Sequence, residues 1–428
     1  MFIRLPAVGL SIIGVVLAVA MREANPALLV TVLLGGAVLL DAALAPSPRR
    51  FEVDHSGAAI ARVGESVPAQ LTITNPGRWP MSGQIRDAWP PSTGVDPSRH
   101  SLRIAGGRSH TVDTTLTPTR RGTVSSHAIT IRTNGPFGLA GRQRSFPTTW
   151  RLKVLPPFAS RRHIPSRVRQ LRELDGRALL LVRGEGTEFD SLREYVAGDD
   201  VRAIDWRSTA RLGETVVRTW RPERDRQVVV VLDSGRAGAL RVSDAPAFDA
   251  FIEAALLQAA IAQRAGDRVS IVAFDADVRA RLVGEQGRAI THTVAQTLAD
   301  VEPTLHATDW TSLPVHVAAI TKRPALVVIL TTLGGGTPAS GLLDVIPELK
   351  RSHTVMIAST QADPFTRPEK IDPEAAFNRA AYERSQIEAK NLMRTIERAG
   401  AMVVRARADD LPVAVVDTYL ELKARGRL

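Results

Sequence analysis

The sequence contains no cysteine. Disulfides, thiolate metal sites and a cysteine nucleophile are therefore excluded, although the compartment is left open. It also lacks a lysine-rich tail, and its aromatic and basic residues do not interleave as single-stranded nucleic acid requires. Nucleic acid is not an expected partner, even though the formal net charge is +11. That charge comes from arginine rather than lysine. There is no Ser-His-Asp spacing, no phosphate-binding loop and no histidine pair at metal-ligating spacing. What is present is 428 residues of ordinary globular usage, 44% apolar and 23% charged, enough for two or three domains.

Long apolar runs stand at the start. "LPAVGLSIIGVVLAVAM" (5–21) and "PALLVTVLLGGAVLLDAALA" (26–45) are each close to the roughly 20 residues a membrane helix needs. "REAN" separates them, so residues 1–45 read as a two-span hairpin. A cleaved signal peptide is the alternative for the first run, and the second run argues against it. Arg4 precedes the hairpin and Arg49, Arg50 and Arg62 follow it, whereas only Arg22 lies in the turn. The positive-inside rule then places both chain ends in the cytoplasm, with the lipid bilayer of the cell membrane as a partner.

Residues 46–158 change character. "VPAQLTITN", "HTVDTTLTP" and "AITIRT" alternate at period two between turn signals such as "NPGRWP". An immunoglobulin-like β-sandwich is predicted. Residues 159–225 form a connector followed by an unusual charged block. From 226 to 428 apolar strands alternate with helices: "QVVVVLDSG", "APAFDAFIEAALLQAAIAQRAG", "DRVSIVAFD", "PALVVILTT" and "HTVMIAST". That pattern predicts an α/β domain, an open and mostly parallel sheet with helices on both faces.

Ligands of such sheets bind beyond the carboxyl ends of the strands. Those ends offer Asp233, Gly235, Ala237, Thr308, Thr331 and Thr332. The arrangement resembles the von Willebrand factor A fold, which holds a divalent cation there on Asp-x-Ser-x-Ser, a later Thr and a second Asp. Here Asp233 and Thr308 match. Gly235 and Ala237 replace the serines, and Thr332 stands for the second Asp. One carboxylate with one or two hydroxyls is poor provision for a hard cation, so no metal or other cofactor is expected.

The block Gly184–Asp225 carries "G-x-G-x-E-F" (184–189), "L-R-E-Y" (192–195), "G-D-D-x-R-x-I-D-W" (198–206) and "S-T-A-R" (208–211). These motifs resemble the family called domain of unknown function 58. "RRG" around Arg121, "GPFGL" (135–139) and the C-terminal "ADDLPVAVVDTYLELKARG" fit as well, so the resemblance covers nearly the whole chain. It implies a bacterial, membrane-anchored protein working with a MoxR-type AAA+ ATPase, an adaptor or scaffold for a client protein in complex maturation or envelope stress.

Two readings of the block stay open. In one, its acids and arginines form a polar network against the sheet: Asp199 or Asp200 caps a turn, Asp205 pairs with Arg202 or Arg207, and Tyr195, Trp206 and Trp220 bury their rings against the strand Gln227–Gly235. Arg193, Asp199, Asp200, Arg202, Asp205 and Trp206 then border a partner-binding surface, and the chain is not an enzyme. In the other, Asp199, Asp200 and Asp205 serve an unrecognised hydrolase. A metal-dependent protein-binding module, built on Asp233, is a further alternative.

Overall fold

A computed structural model of the chain describes residues 1–21, 24–181, 188–221, 226–242, 244–287, 289–334, 340–361 and 373–426. Arg22 and Glu23 of the turn, Gly184 to Thr187 of the first motif, and Gly335 and Gly336 lie outside the described residues, as does the Trp220 side chain. The chain divides into two compact units, Met1–Pro157 and Phe158–Leu428.

In the first unit, the apolar run 5–21 forms helix α1 (Leu5–Met21) and the next forms helix α2 (Ala24–Leu44). Among the described residues one stretch, Leu28–Arg50, is helical, long and apolar enough to cross a membrane; Leu5–Val16 is a shorter apolar helix. Side chains along both helices are exposed, among them Val15, Val16, Val32 and Leu33. The two helices pack on each other.

The alternating sequence that follows becomes β-sandwich-like sheets. A five-stranded sheet is ordered Phe2–Ile3, Ala140–Phe146, Ile129–Asn134, Met81–Asp87 and Arg99–Ile104. Two three-stranded sheets complete the unit: Glu52–Gly57 with Val67–Asn75 and Arg108–Leu116, and Ile60–Arg62 with Arg151–Leu155 and Gly122–Ser125. Period-two alternation is visible in burial: along Met81–Asp87 every second side chain is buried. The buried set, including Leu71, Ile73, Ile85, Leu102 and Ile131, forms one core. A second cluster gathers Leu116, Leu152 and Val154 beside Trp89. Next to that cluster, Asp87 accepts hydrogen bonds from Trp89 Nε1 (2.6 Å) and Ser126 Oγ (2.5 Å) and lies 3.0 Å from His55 Nε2. His55 stacks on Trp150 at 4.9 Å. No local pattern announces this network, because its members lie on four separate segments.

The second unit is built on a six-stranded sheet. Its order is Val278–Glu285, Arg268–Phe274, Gln227–Asp233, Ala325–Thr331, Thr354–Gln361 and Met402–Arg407. All neighbours are parallel except the edge strand Val278–Glu285, which returns antiparallel. The central strands Gln227–Asp233 and Ala325–Thr331 are buried almost throughout, as expected where helices cover both faces. Helix Ala247–Arg264 is apolar nearly all round and buried to match. It packs against Leu411–Ala424, whose Tyr419 hydroxyl and Lys423 ammonium meet the buried Asp267 carboxylate at 2.5 and 2.9 Å.

Candidate functional site

The carboxyl ends of the two central strands open on a small cleft lined by Asp233, Arg236, Thr308, Trp310, Thr331 and Thr332. Parallel register aligns Leu232 with Leu330, so Asp233 faces Thr331 on the same side of the pleat. The Thr331 hydroxyl donates to Asp233 Oδ2 at 2.6 Å. The Thr308 hydroxyl donates to Asp233 Oδ1, which also accepts the Gly235 N–H at 2.9 Å. Thr332, one residue on, instead pairs its hydroxyl with Thr360 at 3.1 Å. Thr332 lines the cleft as expected, but the hydroxyl that reaches Asp233 is that of Thr331, the last residue of the strand Ala325–Thr331. The strand register is the signal that distinguishes the two.

Asp233 is buried, and burial raises its carboxyl above the usual carboxylate range; the two hydroxyls and the Gly235 N–H oppose the shift, and the nearby Asp275 adds to it. Asp275 is also buried and takes the opposite direction. Burial pushes it up, but Arg279, the Asp277 N–H and the Thr304 hydroxyl outweigh that and hold it low. The site is therefore one carboxylate satisfied by protein donors, beside a second already paired to Arg279 at 2.9 Å.

This donor set does not fit the divalent cation of the resembled fold. Asp233's oxygens already accept three protein hydrogen bonds. Among the described residues no three of His, Cys, Asp and Glu cluster as metal ligands would. Gly235, standing where that fold has a serine, also has no room for one: a Cβ there would collide with the Thr308 hydroxyl and approach the His306 carbonyl oxygen to 2.8 Å. Ala237 is buried in the short helix Arg236–Ala239 that follows.

The charged block forms a small structure of its own. Strands Glu188–Glu194 and Val216–Arg221 pair antiparallel, with a 3-10 turn at Val201–Ala203 and helix Trp206–Leu212 between them. Three of its acids, Asp199, Asp200 and Asp205, hold this backbone. Asp199 accepts the Val196 N–H at 2.9 Å and Arg193 at 2.5 Å. Asp200 caps the 3-10 turn through the Arg202 N–H. Asp205 caps the helix through the Ser208 N–H, and its other oxygen takes Arg218 at 2.7 Å. The Ser208 N–H and then Arg218 hold the Asp205 carboxyl below the usual range, and the Asp199 hydrogen bond raises Arg193.

Three expectations about this block need correction. Asp205 pairs with Arg218, across the hairpin, rather than with Arg202 or Arg207. Among the described residues the block packs mainly within itself, strand on strand with the turn and helix, rather than on the strand Gln227–Gly235. Trp206 does not bury its ring: it is 68% exposed, because the Asp205 cap starts the helix with position 206 facing outward. Tyr195 is half-buried. Val196, Val201 and Leu212 are exposed with Trp206, as are Arg202, Arg207 and Arg211. Arg193, Asp199, Asp200, Arg202, Asp205 and Trp206 were expected to border one surface. The structure separates acids that build the scaffold from a tryptophan that it displays.

The family described as "Protein of unknown function DUF58" matches residues 191–361. An uncharacterized protein of Mycobacterium tuberculosis, Rv1480, is 29% identical over 126 residues, which cover 29% of this chain and 40% of that protein. Mb1516 of Mycobacterium bovis, also uncharacterized, matches to the same extent. The chain thus spans less than half the length of these relatives. Among solved structures, the CARDB domain of the PF1109 protein from Pyrococcus furiosus is similar at 11% identity and a TM-score of 0.18, over 27% of this chain and 91% of that one. Proximal thread matrix protein 1 of the mussel byssus is similar at 10% identity and a TM-score of 0.28, over 47% of each chain. Neither likeness bears on what this chain does. Residues 191–361, which take in most of the self-capped hairpin and the central strands of the sheet, are similar to the DUF58 family.

Proposed function

We propose that the chain is a membrane-anchored, non-catalytic adaptor whose second unit is a von Willebrand factor A-like module, and that it docks a protein partner through the hairpin 188–221. The observation that carries this reading is the division of labour in the hairpin. The three acids singled out for the hydrolytic alternative, Asp199, Asp200 and Asp205, are each committed to a backbone N–H, two of them also to an arginine, which argues against their serving as a proton-transfer pair. Trp206 is displayed among exposed arginines, and tryptophan and arginine dominate the energetics of protein interfaces. The sheet order, with one antiparallel edge, supports the module assignment. The crowding at Gly235 argues against the metal-dependent form of it.

The partner is a MoxR-type AAA+ ATPase, on the strength of the resemblance in the charged block, and the ATPase would act through the adaptor on a client protein. Both α1 and α2 span the bilayer in this reading. The start of α1 and the end of α2 are tied to one loop of the sandwich, since Arg4 N–H donates to Leu139 O and Asp41 accepts from Leu139 N–H. A hairpin with its two ends so joined returns the chain to one side, and the arginines flanking it favour the cytoplasm.

The test is co-purification from membranes. The detergent-solubilised full chain should bring down an AAA+ ATPase, and Trp206→Ala should lose it while the melting temperature stays within about 1 °C, since a surface truncation changes stability by less than about 0.5 kcal/mol. Retention of the ATPase by Trp206→Ala, or its absence from the wild-type eluate, would sink the proposal.

A further inference from the structure

Asp41 is a carboxylate within an otherwise apolar helix, and it is fully buried. Its two oxygens accept three backbone N–H groups from one loop of the sandwich: Phe137 at 2.7 Å, Leu139 at 2.7 Å and Ala140 at 2.8 Å. Gly135 at the head of that loop admits no side chain, because a Cβ would run into the Asp41 carboxylate. Arg142 adds a second tie, donating to the carbonyls of Ala42 (2.9 Å) and Ala43 (3.1 Å), where the helix ends and its own acceptors run out. Ala7, Val38, Ala42 and Ala140 close the joint with apolar contact.

The joint fixes a depth. Helix α2 has 21 residues, a length of about 31 Å at 1.5 Å per residue, close to the hydrocarbon thickness of roughly 30 Å. Asp41 lies in its last turn, so anything clamped to Asp41 stands where hydrocarbon gives way to headgroups. The loop clamped there presents Phe137, 64% exposed, and exposed Pro136. Leu5, Leu40 and Leu44 are exposed at the same ends of the two helices, and Arg49 and Arg50 just beyond. Exposed Phe and Leu side chains together with arginines are the composition of a surface that lies in the membrane interface.

From this geometry we infer that the loop Gly135–Leu139 is a membrane-interface anchor, with Phe137 seated between the lipid headgroups and the acyl chains. The inference rests on the reading of α2 as a membrane span and adds to it a contact made by the sandwich itself. Because the chain has no cysteine, single cysteines can be introduced into the full-length protein and spin-labelled without background. Labels at Phe137→Cys, Val32→Cys and Ser109→Cys are compared in vesicles of phosphatidylcholine and phosphatidylglycerol, using oxygen and a water-soluble nickel chelate as relaxants. Val32 should be oxygen-accessible and shielded from nickel, Ser109 the reverse, and Phe137 intermediate with oxygen dominant. If Val32 is deep but Phe137 is as aqueous as Ser109, the inference fails and the span stands. If Val32 is aqueous, both fail. As a second readout, Phe137→Trp should add fluorescence that lipids brominated near the carbonyl end quench; added fluorescence indifferent to bromine counts against the anchor.

Discussion

Asp233 and Asp41 are both buried carboxylates held by protein donors, and what removing them does separates structure from function. Asp233→Ala leaves the Thr308 and Thr331 hydroxyls and the Gly235 N–H without their acceptor, and should cost about 1–3 kcal/mol. Asp233→Asn keeps an acceptor oxygen and removes the buried charge. Since burial raises the Asp233 pKa, the folded chain binds that proton more tightly than the unfolded chain. Stability from this group is therefore full below the ordinary carboxylate pKa and is lost as pH rises through the raised one. Urea melts across that window should show the stability of Asp233→Asn rising relative to wild type with increasing pH, then levelling. A constant difference at all pH values would mean that the carboxyl is not shifted.

Elements differ in how far the sequence disclosed them. Strands and helices of the α/β unit were legible because burial on both faces forces continuous apolar runs, as in "QVVVVLD", and because Gly266 closes its helix with a positive φ of 78°. That Asp199 or Asp200 caps a turn was legible too, being local, and Asp200 is the one that does so. Pairings between distant segments were not. Asp205 finds Arg218 thirteen residues away, and nothing in the composition of the block prefers it to Arg202 or Arg207. The exposure of Trp206 was hidden for the same reason, since a lone tryptophan shows no periodicity that would assign it a face. In the sandwich, Asp87 links strands of two different sheets through His55, Ser126 and Trp89. Asp87→Ala should lower stability by about 3 kcal/mol, as several buried donors lose one acceptor. A melt that left the sandwich unchanged would show that the network is dispensable.

For the molecule as a whole, the division at Pro157 and Phe158 predicts that residues 158–428 fold when expressed alone. Magnesium should leave the melting temperature of that fragment within about 1 °C, because a ligand stabilises only in proportion to its binding of the folded state and the Asp233 cleft lacks a second free carboxylate. A rise of several degrees that Asp233→Ala abolished would restore the cation to the site.

The joint at Asp41 also imposes an order on synthesis. Ala140, which completes the ring of donors, lies 99 residues after Asp41, so at translation rates of about 5–20 residues per second the carboxylate emerges roughly 5–20 s ahead of it. The strand Phe2–Ile3, made earlier still, waits longer than Asp41 does, until Ala140 and Gly141 emerge. During that interval the carboxyl in the last turn of α2 is without its three donors, and folding of the sandwich is what supplies them. A chain stalled before Gly135 should therefore be a poorly seated helix pair, open to membrane proteases, and pulse-chase of nascent chains cut at residue 130 or at residue 158 would show the longer one persisting.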